Sequence, residues 1–223
     1  MNIFLYVDAS GQSTDSRLWG VLLIIGQYDN NKLPSIIENF SHNCEDFREL
    51  KSKSLSREKL QEITCEVQQQ THAYFHCQRF ARDNYRKKRE SFLFKLKSLH
   101  FSPGQNVIQF YSSLKKANQV KFICLLEVIE NALSKLPKSI DVDEINIYID
   151  NENFPPGKNL QITISDYVYA TWQHSAKKTK KNKTVYTYPA CDSQQIAGIQ
   201  IIDLFLGYVR CVFDCDNNIF IDL

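Results

Sequence analysis

The segment from Ser193 to Val212 is apolar on nearly every side of a helix, with Ile196, Ile199, Ile201, Ile202, Leu204, Phe205, Leu206, Val209 and Val212 distributed around it. A helix of that kind is a buried one, because no face of it can be left to water. The rest of the chain must therefore build layers around it. With 223 residues, 43% of them hydrophobic and 23% charged, the chain has globular proportions and enough length for one substantial core. Those figures exclude a disordered protein. No uncharged apolar run approaches the roughly 20 residues that a membrane-spanning helix needs, and Met1 to Val7 lacks the basic start and long apolar core of a signal peptide. Seven cysteines with wide, irregular spacing suit a compartment where thiols stay reduced. The expectation is a cytoplasmic protein without a membrane partner.

Strand signals open the chain. Ile3 to Val7 and Leu18 to Ile25 are short runs rich in β-branched and aromatic residues, and the turn-prone Ala9 to Ser16 between them predicts a β-hairpin. Ser56-Arg57-Glu58-Lys59 reads as a helix start, and Leu60, Ile63 and Val67 continue at helical spacing to about Gln70. Thr71 to Phe80 alternates loosely and predicts a third strand. Two helices are expected over Arg82 to Leu136, parted around Pro103-Gly104, the second being Val120 to Leu136 and stopped by Pro137. Glu144 to Asp150 alternates Ile145, Ile147 and Ile149 with Asn146, Tyr148 and Asp150, the pattern of a strand. A helix at Ile164 to His174, a basic loop at Lys177 to Lys183 and a short strand at Thr184 to Tyr188 complete the pass. With no repeat, no low-complexity linker and only 7 glycines, the simplest description is a single α/β domain over residues 1–223 with a helical insertion at roughly 82–136.

Three carboxylates fall in expensive places. Asp8 ends the first apolar strand with Tyr6 on the same face, and Asp150 ends the fourth with Tyr148 on the same face. If those strands are parallel neighbours, the acids converge at the sheet edge where α/β folds place ligands. Asp203 lies within the apolar C-terminal helix, where an ionised carboxylate costs several kcal/mol, on the order given for buried ions, unless it is paired or bound to a cation. Arg210, seven residues along, is one partner at a longer than preferred spacing. Taken singly, Asp8 and Asp150 have plainer roles as turn caps. Taken together, the three suggest a shared divalent cation, Mg²⁺ or Mn²⁺, both of which favour oxygen ligands and keep positions open for water and phosphate. Glu45, Asp46 and Glu49 are each available as a fourth ligand.

Four short motifs occur in order: Tyr6-Val7-Asp8-Ala9-Ser10-Gly11, Glu49-Leu50-Lys51, Tyr148-Ile149-Asp150-Asn151, and Asp192-Ser193 followed by Ile199-Gln200-Ile201-Ile202-Asp203-Leu204 and Gly207. In these the chain resembles the DUF3800 family, prokaryotic domains of unknown function. Ala9 stands where that family usually carries Glu, and Ile202 where it usually carries Ala. The resemblance spans nearly the whole chain and implies a ribonuclease H-like mixed sheet flanked by helices. It also implies that Asp8, Glu49, Asp150 and Asp203 form the acidic set of a metal-dependent nuclease acting on RNA or DNA. By similarity Asp8 would bridge the ions, Lys51 would neutralise the phosphorane, and Ser10 or Ser193 would orient a phosphate oxygen. A non-catalytic nucleic-acid or protein-binding module on the same fold is the alternative.

A nuclease needs a basic surface, because phosphate contacts supply most of the affinity. Two segments qualify. One is the lysine run Lys177, Lys178, Lys180, Lys181 and Lys183, and the other is Arg79, Arg82, Arg86, Lys87, Lys88 and Arg89, interleaved with Phe80, Tyr85 and Phe92 that could stack on unpaired bases. The net charge of +2 thus hides a segregated distribution. Cys211 and Cys215 lack a second pair and a nearby His, which argues against zinc.

Overall fold

The computed structural model describes residues 1–10, 16–41, 50–81, 85–98, 104–137, 139–150, 158–176, 184–212 and 221–222. The chain begins with β1 (Asn2–Ser10) and β2 (Ser16–Ile25), followed by α1 (Gln27–Asn30), α2 (Leu33–Ser41), a 3₁₀ turn (Ser52–Ser54), α3 (Arg57–Gln70) and β3 (Ala73–Ala81). It continues through α4 (Tyr85–Ser98), α5 (Gly104–Ser113), α6 (Lys116–Ser134), β4 (Glu144–Asp150), α7 (Lys158–Ala176), β5 (Thr184–Cys191), α8 (Ala197–Val212) and β6 (Ile221–Asp222). The strands form one six-stranded sheet in the order β5-β4-β1-β2-β3-β6. Strands β1, β2 and β3 make an antiparallel meander, while β4 and β5 run parallel to β1. This is the ribonuclease H-like mixed sheet flanked by helices.

Central β1 is apolar in both phases of its alternation because both faces of the sheet are covered. Ile3, Leu5 and Val7 join Ile145, Ile147 and Ile149 in a core closed by α4, α5, α6 and α7. Phe4 and Tyr6 join the opposite core, built from α2, α3 and α8. Helix α8 lies close on the sheet, and small residues set how close. A Cβ built on Gly198 would stand 2.4 Å from Cγ of Tyr6, and one on Gly20 of β2 would stand 2.7 Å from Cδ2 of Leu206. The helix thus rests directly on β1 and β2.

Helix α3 begins where expected, with the Ser56 hydroxyl accepting from the Lys59 N–H at 3.3 Å as its N-cap. The stretch read as two helices before Leu136 contains three, since α5 and α6 are separated by a break at Leu114 and Lys115. Helix α2 is an addition. Its buried Leu33, Ile36, Ile37 and Phe40 do have helical spacing, but Pro34 looks like a breaker. In the first turn, where the missing N–H is an orphan anyway, proline is tolerated. Among the described residues no helix is long and apolar enough to cross a membrane.

Substituting Gly198→Ala tests the close approach. Alanine favours a helix over glycine by about 1 kcal/mol, yet the added methyl meets a buried ring that cannot swing away, and overpacking costs about 1–3 kcal/mol. We expect a net loss, read as a lower urea midpoint at unchanged m-value; a midpoint at or above that of the parent would refute the packing account.

Candidate functional site

The parallel pairing of β1 with β4 sets Tyr6 opposite Tyr148 and Val7 opposite Ile149. Asp8 and Asp150 follow side by side at the C-terminal ends of two neighbouring parallel strands. By the two-residue period both lie on the α8 face, with Tyr6 and Tyr148. The two residues are only 8% and 7% exposed. The Asp8 carboxylate accepts the N–H of Ala9 at 2.6 Å. Across β1 on its other side, Asp8 is paired with Gly20, whose lack of a side chain leaves room for α8.

Helix α8 runs over this end. Asp203 accepts from the Ser52 N–H at 3.2 Å and from the Ser52 hydroxyl at 3.3 Å. Its compensation therefore comes from the 3₁₀ turn, not from Arg210, which instead donates through Nη1 to the Ser10 hydroxyl at 2.9 Å. Seven residues of helix span about 10.5 Å, too far for the direct pair. Ser52 follows directly on the Leu50-Lys51 motif; Leu50 is anchored in the α8-side core and Lys51 is exposed. Gln200, one turn before Asp203, is buried, and its Oε1 has no hydrogen-bond partner among the described residues. A buried acceptor of that kind is uncommon and points to a missing donor.

A third buried carboxylate separates structure from function. Asp29 in α1 is 5% exposed. It accepts from the His72 N–H at 2.8 Å and from Lys32 Nζ at 2.9 Å, and its other contact is the His72 ring at 2.6 Å. Burial pushes the Asp29 pKa up, but the His72 and Lys32 interactions together outweigh it and bring it down to about 2. Asp29 is a fully partnered structural acid, and nothing in its sequence surroundings marks it. Beside Asp150, the Cys191 thiol is pushed up to about 11, chiefly by burial and further by the Asp150 charge, so it stays protonated near neutrality.

Cations gather at the same end of the sheet. Arg79 lies in the row Ser10, Leu18, Arg79 across β1, β2 and β3, on the α8 face. On the other face, Arg17 donates to the Ala9 carbonyl at 3.4 Å, and its positive charge, after burial, lowers the pKa of Lys121 in α6. Lys88 in α4 is tied to Glu127 at 2.6 Å and covers Phe80, while Arg86, Lys87 and Arg89 of the same helix are exposed. Arg17 and Lys121 escaped the sequence reading because neither belongs to a charge run. Glu45, Asp46, Glu49, Arg82 and the lysines Lys177, Lys178, Lys180, Lys181 and Lys183 lie outside the described residues. Ser193 is described and sits in the turn ahead of α8.

The structure thus brings Asp8 and Asp150 together and leaves Asp203 facing Ser52. Among the described residues, no group of three His, Cys, Asp or Glu side chains is arranged to hold a metal ion. The two carboxylates supply the hard oxygen donors that Mg²⁺ or Mn²⁺ takes, but the three-acid cage expected from the sequence is not assembled from them and Asp203.

No family model matches the chain, and no curated protein matches it in sequence. Among solved structures it is similar to ribonuclease H2 from Pyrococcus horikoshii OT3, at 12% identity and a TM-score of 0.49 over 94% of this chain and 72% of that one. It is also similar to a chain of the PCNA:RNase HII complex from Archaeoglobus fulgidus, at 11% identity and a TM-score of 0.45 over 94% of this chain and 71% of that one. A third is Bst-RNase HIII in complex with Mn²⁺, at 11% identity and a TM-score of 0.37 over 92% of this chain and 51% of that one. Overlap this loose assigns no chemistry to the chain.

The partners of Asp29 generate a pH prediction. Its pKa of about 2 in the fold lies below its ordinary 3.8, so its stabilisation is complete above that ordinary value and is lost as pH falls through about 2. The difference is worth at most about 2 kcal/mol, and less after solvent screening, because the His72 ring is exposed. In urea titrations between pH 5 and pH 2, Asp29→Asn should be less stable than the parent at pH 5 and should lose less on acidification. Parallel pH curves for the two proteins would contradict this.

Proposed function

We propose that the chain is a metal-dependent nuclease of RNA or DNA, a member of the DUF3800 family whose motifs it carries, working at the C-terminal ends of β1 and β4. The observation that carries this reading is the pair Asp8 and Asp150. Two nine-tenths buried carboxylates close adjacent parallel strands, the place where α/β sheets take ligands, and they offer the oxygen donors that Mg²⁺ or Mn²⁺ prefers. In this reading Asp8 and Asp150 hold Mg²⁺ or Mn²⁺, with Glu49 and Asp203 completing the acidic set. Asp203 would join by giving up its bonds to Ser52. A cation held there would supply a bound water of lowered pKa and positive charge to offset that at phosphorus.

The chain's own residues bind and orient the strand. Arg79 and the Arg210–Ser10 pair flank the carboxylates on the α8 face, and Arg17, Lys121 and Arg86 lie toward the opposite face. Lys51, adjacent to Ser52 and exposed, is suited to offset charge that builds up on the phosphate. The lysines Lys177, Lys178, Lys180 and Lys181, with Arg82, would extend the basic surface.

The bonds of Asp203 to Ser52 favour a second reading, in which the acids are structural and the chain binds nucleic acid without cutting it. The two readings part on one experiment. With labelled RNA and DNA oligonucleotides and Mn²⁺, Asp8→Asn and Asp150→Asn should each lower cleavage at least a hundredfold with the thermal midpoint kept, while Asp29→Asn lowers the midpoint and leaves cleavage by folded protein unchanged. Cleavage that survives both active-end substitutions, or no cleavage by the parent in any divalent ion, rejects the nuclease in favour of the binding module.

A further inference from the structure

Three tyrosines stand in a column across the sheet. Register places Tyr6 beside Tyr148 and Tyr148 beside Tyr188 on the neighbouring strands β1, β4 and β5. Tyr6 and Tyr148 are stacked with centroids 5.0 Å apart and planes 18° from parallel, and Tyr148 and Tyr188 with centroids 4.7 Å apart and planes at 14°. These separations are close to the distance between strands. The inner end is closed, since Tyr6 lies under Gly198 and its hydroxyl donates to Oδ1 of Asn30 at 2.5 Å. The outer end is Tyr188 on the edge strand, 39% exposed, with Tyr186 on the same face at 44%.

We propose that the outer face of Tyr188 is a stacking position for an unpaired nucleobase, which makes the substrate a single strand. This rests on nucleic acid being the ligand of the Asp8–Asp150 end. An aromatic ring in a column asks for another flat ring on its free face. An added strand is a poorer occupant, because Pro189 lacks the N–H such a strand would need and the β4–β5 register shifts just beyond Tyr148. The column also runs alongside the acids. Tyr148 precedes Asp150 by two residues on one face, about 6.6 Å along the strand, as Tyr6 precedes Asp8. Arg210 on the Ser10 hydroxyl stands at the same strand ends, a charge matched to a polyanion. Bases paired within a duplex already have both faces covered, so only an unpaired one can extend the column.

The test is fluorescence anisotropy of the 223-residue chain with a labelled oligothymidylate and with a duplex of equal length, in EDTA so that nothing is cut. Tyr188→Ala should weaken single-strand binding about tenfold, within the range for loss of one stacked base. Tyr188→Trp should restore it, and duplex binding should not move. Tyr188→Leu, which keeps apolar area without a ring, should behave as Ala and guards against a folding defect. Unchanged binding by Tyr188→Ala, or Leu performing as well as Trp, overturns the proposal. So does a parent that sediments as a dimer and a Tyr188→Ala variant that does not, since a second copy then covers the column. Tyr188-dependent binding by a protein that cuts nothing in Mn²⁺ would sustain the stacking position and sink the nuclease. Asp8-dependent cutting of single strands indifferent to Tyr188 would do the reverse.

Discussion

Helix α8 has almost no polar side, and a helix without one must be enclosed. The sheet covers it from below and α2 and α3 cover it from above, with Phe75, Phe205, Leu60 and Ile63 among the side chains that fill the space. Its direct seating on β1 and β2 depends on places where a side chain is missing, Gly198 over the Tyr6 ring and Gly20 under Leu206. That seating determines what the helix can deliver. Asp203 comes to the Ser52 turn and Arg210 comes to Ser10, so the residues at the end of β1 and those on α8 form one polar region only because the apolar contact is so close.

The buried acids occupy two kinds of place in the fold. Asp29 is surrounded by donors from His72 and Lys32, its charge is stabilised, and its pKa falls. Such an acid has nothing left to offer a ligand. Asp8 and Asp150 are as deeply buried and lie at the C-terminal ends of adjacent parallel strands, the place where α/β sheets take ligands.

Charge and aromatic surface follow the same geography. The balanced totals conceal cations placed around the strand ends, some on exposed helix α4 and some, such as Arg17 and Lys121, half-hidden beside β1. The tyrosine column runs from Tyr6, beneath Gly198 of α8, out to Tyr188 on the edge strand β5, where it is exposed. Acid pair and rings therefore share one end and one side of the sheet, with cations at that end on both faces.

Much of this was legible in the residues. Short apolar runs rich in β-branched and aromatic residues located β1 and β2, period-two alternation located β4, the capping serine located α3, and the all-round apolar pattern located α8 and required it to be buried, because these signals are local and depend on one element at a time. Asp8 and Asp150 stood out as acids closing apolar strands. Local signals could not say that Asp203 would turn to Ser52, 151 positions away, or that Arg210 would reach Ser10. Nor could they reveal that Asp29 meets His72 or that three tyrosines on separate strands would stack. Those pairings depend on strand order, register and the height of a helix above a sheet. Free energies of packing summed over the whole chain decide such quantities. The sequence by itself determined which segments had to be covered and where carboxylates would be costly; the tertiary structure alone decided which groups would meet them, because contact between distant residues is a property of the assembled layers and not of any one of them.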